Sequence, residues 1–415
     1  MEKEELKRNF EAIKKFFSQK KIQTIVIVLI LIAILFLGSW IRLQNLPLLK
    51  DQTTGKHIPL ALDPFYFLRI AETMVEQGGL PPYDPMRKPF EVGWSHEILP
   101  KVVILLHKIG KVFDNDMTLQ YADVIYPVIF FILGLIAFFF LILSLTNSKT
   151  TALLSSLFLA TTPTYLYRTM AGFADHEAIG MFAFFLTLLC YSLSLKFLEK
   201  EESNKKKIGK AILLGGLVGF FSAFTIASWG GIANFIFMII PLSFGLIWLI
   251  KSQRIDKNEK ENLFNLLVFY IVFFFSSIMF GLAYGFNISS IISKVMLGTS
   301  SLINGAVLLF LITDFLIIEI EERFKFLEKK KVKKYRILFS GIGSALLACV
   351  LLALSGKGII PLISSLIEGL LHPFGTGRVG LTVSENKQPY LKAVSYTHLR
   401  AHETSLHLVC RLLLE

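Results

Sequence analysis

The stretch IQTIVIVLILIAILFLGSWI, residues 22–41, runs for twenty residues without a charge. A helix needs about 20 apolar residues to cross the hydrocarbon core of a bilayer, so this stretch predicts a membrane helix. It is too long for the apolar core of a cleaved signal peptide, and no small-residue cleavage site follows it. We therefore expect a retained anchor.

Runs of similar length recur along the chain. The sequence predicts nine spans, at about residues 22–41, 121–144, 149–166, 178–198, 209–228, 231–250, 263–285, 301–320 and 336–355. Helices satisfy their own backbone hydrogen bonds in lipid, so the expected fold class is an all-α, polytopic integral membrane protein. The composition agrees: 53% of residues are hydrophobic, 18% are charged and the mean hydropathy is +0.60. Three cysteines in 415 residues exclude a disulfide scaffold, and the apolar content excludes a disordered chain.

Lys and Arg are distributed unequally between the two sides of the predicted membrane domain. Segments 1–21 and 321–336 carry seven and eight, whereas segments 167–177 and 286–300 carry one each. Basic loops stay in the cytoplasm, so we expect segment 1–21 inside and segment 42–120 as a long first external loop. The same bias explains the net charge of +12. We therefore expect contacts with membrane lipids and no nucleic-acid partner.

Four acidic side chains fall on the predicted outer side. Asp63 precedes Pro64 at the start of an amphipathic stretch, which is also a common way to begin a helix. Asp175 and Glu177 lie two residues apart where a span begins, so they could share a cation or simply cap the helix. Glu385 lies in a polar loop after the ninth span, where a surface role is the simplest interpretation. Hard oxygen ligands at one membrane face suit Mg²⁺ or Mn²⁺.

Four pieces of sequence resemble the catalytic subunit of oligosaccharyltransferase, most closely its archaeal single-subunit form. They are DPFYFLR at 63–69, AGFADHE at 171–177, SWGG at 228–231 and TVSE at 382–385, in the order found in that family. The resemblance covers about residues 10–394 and implies the membrane glycosyltransferase fold called GT-C. It also implies metal-dependent, inverting transfer of an oligosaccharide from a polyprenyl (dolichyl) phosphate or pyrophosphate to the asparagine of Asn-x-Ser/Thr in an acceptor protein.

The resemblance assigns roles to individual residues. It implies that Asp63, Asp175 and Glu177 hold Mn²⁺ or Mg²⁺, with Asp63 also taking part in catalysis. It places Glu385 near the metal and the acceptor asparagine, and Arg168 against the acids or the lipid phosphate. Trp229 would line the site near the lipid-linked donor. The implied location is the extracytoplasmic face of the cell membrane.

Two other functions are alternatives to this one. One is another GT-C transferase that moves a sugar from a polyprenyl phosphate to a hydroxyl or lipid acceptor. The other is a transporter or flippase for a lipid-linked anion, which predicts charged residues inside the spans. Asp314 and Glu319, near the eighth span, are the exceptions to otherwise apolar spans.

The resemblance also sets the expected domain organisation. We expect a cytoplasmic segment at 1–21, a membrane domain at 22–356 and the start of an external loop at 357–394. Family members continue into an external soluble domain that recognises the acceptor, so we expect this chain to be a C-terminally truncated fragment, inactive alone. Residues 395–415 resemble translated sequencing-adaptor read-through, and we interpret His398, His402 and Glu403 as part of that tail rather than as a zinc site.

Overall fold

The computed structural model describes residues 20–94, 98–199, 204–253, 257–298, 300–324 and 330–354, together with 364, 367, 368 and 371. Across these residues the chain is helical, and its β-structure is confined to one isolated bridge between Lys50 and His57. The predicted all-α fold is thus confirmed. Segment 1–19, most of the predicted loop 357–394 with Glu385, and the tail 395–415 lie outside the described residues.

The helices are given in chain order, numbered from the first. They are α1 (Lys20–Leu43), α2 (Leu62–Gln77), α3 (Leu99–Phe113), α4 (Leu119–Thr146), α5 (Lys149–Thr161), α6 (Pro163–Arg168), α7 (His176–Leu198), α8 (Asn204–Ser228), α9 (Gly230–Lys251), α10 (Lys257–Ala283), α11 (Ile288–Ile292), α12 (Leu302–Phe324) and α13 (Lys330–Leu354).

Seven of these helices, among the described residues, are long and apolar enough to cross a membrane: α1, α4, α7, α8, α9, α10 and α12. The predicted span 149–166 differs, because it is divided into α5 and the short α6. Thr162 between them is extended, and Pro163 cannot continue the preceding helix because its ring removes a donor and clashes with the previous turn. The predicted span 336–355 lies in α13, whose apolar part, Tyr335–Leu351, is shorter than the other seven.

The segment between α1 and α4 contributes two helices, α2 and α3, that pack against the ends of α4 and α7. Phe67, Leu68 and Ala71 of α2 are buried in one cluster with Tyr126 of α4 and Ile179 of α7. This burial of apolar surface holds α2 against the start of α7. This packing places α2 beside the start of α7, where Asp175 and Glu177 lie.

Helices α8 and α10 approach each other closely enough for backbone contact. A Cβ added to Gly215 would lie 2.5 Å from the carbonyl oxygen of Phe269, and one added to Gly219 would lie 2.8 Å from that of Phe273. Small residues four apart let two membrane helices pack at this distance. Ser276 also donates a hydrogen bond of 3.4 Å to the Gly215 carbonyl.

Replacing Gly215 with valine should separate α8 from α10 and lower the free energy of unfolding by about 1–3 kcal/mol, the usual cost of overpacking. Gly216 is the matched control, because it is also a glycine of α8, and a Cβ added to it would have no atom of a neighbouring residue within 4 Å. Unfolding of G215V and G216V in mixed micelles measures both. Equal stability of the two variants would contradict this packing.

Candidate active site

Asp175 lies where the chain enters α7, in the segment 169–177 that we call the acidic turn. Its backbone is extended, and its side chain caps the helix by accepting a 2.7 Å hydrogen bond from the His176 N–H. The same Oδ1 atom lies 2.7 Å from Nδ1 of His176. Asp175 is only 3% exposed. The capping interpretation is therefore confirmed for Asp175. Its carboxylate also makes the contact with the His176 ring, which helix capping does not require.

Glu177 follows in the first turn of α7 and is paired with Arg168. Its Oε1 lies 3.0 Å from Nη1 of Arg168, whose guanidinium stands 4.9 Å from the ring centre of Phe173. Its second oxygen, Oε2, is buried and receives no hydrogen bond from the described residues. A buried carboxylate oxygen without a donor is costly, so a cation beside it would lower the free energy of this site.

Three side chains of the acidic turn form a group suited to a metal ion. One donor atom from each of Asp175, His176 and Glu177 lies within 4.8 Å of the other two. Two carboxylates suit Mg²⁺ or Mn²⁺, and an imidazole nitrogen beside them is a further ligand that transition metals accept. The vacant Glu177 Oε2 and this donor set fit the metal that the resemblance implies.

The electrostatics of Asp175 result from opposing effects. Burial raises the pKa of its carboxyl group, but hydrogen bonds and charge from His176, with a smaller effect of Arg168, outweigh burial and leave the pKa lowered. A lowered pKa keeps the group ionised at neutral pH. Asp175 therefore presents a negative charge at the N-terminal end of α7.

The backbone of the acidic turn is fixed from several sides. Gly172 has φ of +85°, a left-handed conformation that favours glycine, and a Cβ there would lie 2.5 Å from Leu49 Cδ1. Its N–H donates to the Val124 carbonyl and its carbonyl accepts from the Leu60 N–H, each at 2.8 Å. The hydroxyl of Tyr126 donates to the Asp175 carbonyl at 3.2 Å.

Trp229 forms one wall of the site. It precedes α9, and its ring centre lies 5.3 Å from that of His176. Gly180 makes this approach possible, since an added Cβ would lie 2.6 Å from Trp229 Cβ. The structure thus brings Trp229 and Arg168, the two residues that the family resemblance assigned to the site, to the acidic turn. It adds His176, which lies between the two acids in sequence but was assigned no role there.

Asp63 lies in the first turn of α2 and is exposed. The helix is capped at Ala61, without a side-chain hydrogen bond, so the N-cap interpretation of Asp63 is wrong. Among the described residues, Asp63 is not a member of the candidate metal group at the acidic turn. Phe67, one turn further along α2, lies 6.4 Å from the His176 ring. The metal-binding role of Asp63 remains a prediction, as does that of Glu385, which lies outside the described residues.

The charged residues near the eighth span have structural partners. Asp314 is fully buried and accepts hydrogen bonds from Trp248 Nε1 at 2.8 Å, Ser340 Oγ at 2.7 Å and Arg336 Nε at 3.2 Å. Glu319 pairs with Lys260 at 2.8 Å. These contacts join α12 to its neighbours, so neither acid supports a transport pathway through the spans.

Comparison with known proteins decides the family. Residues 23–387 match the family described as oligosaccharyl transferase STT3, N-terminal. The chain belongs to this family. A curated relative, the dolichyl-phosphooligosaccharide-protein glycotransferase of Methanocaldococcus jannaschii, is 25% identical over 295 residues, which cover 62% of this chain and 31% of the relative. The STT3-family chain thus spans about a third of that relative's length.

Solved structures share the fold of this STT3-family chain. The archaeal oligosaccharyltransferase AglB from Archaeoglobus fulgidus, in complex with an inhibitory peptide and a dolichol-phosphate, matches with a TM-score of 0.62 at 17% identity, over 85% of this chain and 40% of that one. Two further structures of an oligosaccharyltransferase from that organism match at 17% identity over 77% of this chain. One, with zinc and sulfate, has a TM-score of 0.53 over 39% of its own chain. The other, tethered to an acceptor peptide containing the NVT sequon, has a TM-score of 0.54 over 38%. The GT-C fold and the multi-pass membrane character of the chain are confirmed.

Proposed function

We propose that this chain carries the donor-binding and metal-binding part of an oligosaccharyltransferase. The reaction is transfer of an oligosaccharide from a polyprenyl phosphate or pyrophosphate to the asparagine of Asn-x-Ser/Thr. The observation that carries the proposal is the group Asp175, His176 and Glu177, with Arg168 paired to Glu177. The relatives' names, and the dolichol-phosphate and NVT peptide bound by the structural neighbours, support the same donor and acceptor classes.

The sidedness of the site supports an extracytoplasmic reaction. The acidic turn precedes α7, whereas the lysine-rich segment 199–210 follows it. Because basic loops stay in the cytoplasm, the start of α7 belongs to the outer face. A donor with a polyprenyl tail embedded in the bilayer would present its phosphate at this level.

The chemistry needs positive charge where the leaving phosphate becomes an anion. A Mn²⁺ or Mg²⁺ ion held by Asp175 and Glu177 would supply such charge when bound. Arg168 adds a permanent cation, and its side chain is 43% exposed, so it can contact a phosphate while it remains beside Glu177. Trp229 and His176 offer ring surfaces against which the lipid end of the donor can pack.

The transfer itself is a direct displacement. The amide nitrogen of the acceptor asparagine forms a bond to the anomeric carbon, and the bond from that carbon to the phosphate oxygen breaks with its electron pair on the phosphate. The nitrogen loses one proton, which a carboxylate can accept. We assign the orientation of the amide to Asp63 and Glu385, by resemblance to the family. Attack from the face opposite the leaving group inverts the anomeric centre.

Replacing Arg168 with glutamine should weaken binding of a short polyprenyl phosphate at least about tenfold, because a hydrogen bond to a charged group contributes about 1.5–3 kcal/mol. The measurement is binding of a fluorescent polyprenyl phosphate to protein in nanodiscs. Arg87 is the matched control, since it is an outer-loop arginine that is 48% exposed and stands 3.5 Å from Asp84. R87Q should bind as the wild type does. Equal binding by R168Q and wild type would exclude Arg168 from the phosphate site.

A further inference from the structure

The outer end of α1 is attached to the acidic turn by a set of contacts that we call the strap. Arg42 Nε donates a 2.8 Å hydrogen bond to Thr169 Oγ1, and the Arg42 carbonyl accepts one of 3.0 Å from the Ala171 N–H. Asn45 Nδ2 donates to the Ala171 carbonyl at 2.8 Å. The strap therefore holds the residues that separate Arg168 from Asp175 in sequence.

The same guanidinium is anchored within the membrane domain. Its Nη1 donates to the carbonyls of Gly38 at 3.0 Å and Ala160 at 2.9 Å, and its carbon stands 3.5 Å from the ring centre of Phe131. These contacts tie the acidic turn to α1, α4 and α5 together. One side chain thus contacts residues of three helices and of the acidic turn.

Burial of the Arg42 guanidinium costs free energy, because the group is charged. It is fully buried, no carboxylate of the described residues forms an ion pair with it, and its Nη2 has no hydrogen-bond partner among them. A buried cation without a counter-charge costs free energy, so stability alone does not explain its presence. A planar group with five donors can instead fix several acceptors in one geometry.

We propose that Arg42 and Asn45 are positioning residues for the metal-binding group, a role that rests on the proposed function. They hold Thr169 and Ala171 so that Arg168 meets Glu177 and the two carboxylates stay close to each other. Ligand groups held in place bind a metal more tightly than groups that must first be ordered. The contribution of the strap is therefore to metal affinity as well as to folding.

The test uses T169V, which removes the hydroxyl that accepts from Arg42 and keeps the side-chain volume, and N45A, which removes the second contact. Two quantities are measured on the full chain in detergent: amide hydrogen exchange of residues 170–177, and Mn²⁺ affinity by calorimetry. We expect faster exchange in that segment and about a tenfold loss of Mn²⁺ affinity in each variant, the lower end of the range for residues behind metal ligands. In R42K, a single ammonium cannot reach all the acceptors, so we expect a similar loss.

A variant that is destabilised elsewhere separates positioning from stability. D314N should lower the unfolding temperature and leave the Mn²⁺ affinity unchanged. Wild-type affinity in T169V and N45A would overturn the positioning role alone, as would unchanged exchange in residues 170–177. Failure of the wild-type chain to bind Mn²⁺ would instead overturn the metal site of the proposed function, and the positioning role with it.

Discussion

Replacing Asp175 with asparagine should reduce Mn²⁺ affinity at least 100-fold and leave the fold intact. Asparagine caps helices as well as aspartate does, so the amide oxygen can keep the hydrogen bond from the His176 N–H. What the variant loses is the negative charge and one hard oxygen ligand. A hundredfold loss corresponds to about 2.7 kcal/mol of binding free energy. Calorimetric titration of the protein with Mn²⁺ measures it.

This substitution distinguishes the two interpretations of the acidic turn. If Asp175 only caps α7, D175N should bind Mn²⁺ as the wild type does. Glu199 is the matched control, because it is an exposed acid at the other end of α7, paired with Lys251 at 3.2 Å. E199Q should keep full affinity. Equal Mn²⁺ affinities of D175N and wild type would reject the metal site and leave a simple helix cap.

Replacing Asp314 with alanine should lower the free energy of unfolding by about 3–5 kcal/mol, the usual cost of breaking a buried ion pair. The substitution leaves Arg336, which is 5% exposed, and the fully buried Trp248 N–H without their acceptor. Desolvated donors that lose their partner account for most of the expected cost. Unfolding in mixed micelles, followed by circular dichroism, measures the change.

Glu319 is the control for Asp314, because it is another acid of α12 that forms an ion pair. Its pair with Lys260 is partly exposed, with side-chain exposures of 34% and 23%, so E319Q should cost less than about 1 kcal/mol. Both variants should bind polyprenyl phosphate as the wild type does, because neither residue touches the acidic turn. Wild-type stability of D314A would show that the Asp314 network does not join α12 to its neighbours, and would reopen a transport role for this charge.

The sequence predicted most of the fold because span length is set by the bilayer. The span expected at 121–144 lies within α4, and that expected at 178–198 lies within α7. The span expected at 149–166 was wrong in one respect. The stretch is apolar over the length of a span, but it is divided at Pro163. Because proline cannot continue a helix, α5 ends before it and α6 begins at it. Hydropathy measures transfer to lipid, not the local geometry of a proline.

The site was predictable where its residues are close in sequence. The spacing of Asp175 and Glu177 at the start of a span indicates that their carboxylates lie close together, and Arg168, which the family resemblance assigned, pairs with Glu177. The contact of Arg42 with Thr169 joins residues 127 positions apart. No local periodicity encodes such a contact, because it depends on how α1 packs against α5. The exposed position of Asp63 likewise depends on how α2 packs, which its own sequence does not specify.

We propose that Asp175 and Glu177 hold one divalent ion at the outer face of the membrane. The most direct measurement counts Mn²⁺ bound to sealed membrane vesicles of known orientation by electron paramagnetic resonance, with D175N as the background. We expect about one specifically bound ion per chain when Mn²⁺ is added to the extracytoplasmic side, and none when it is added only to the cytoplasmic side. Binding from the cytoplasmic side alone, or no difference between wild type and D175N, would contradict it.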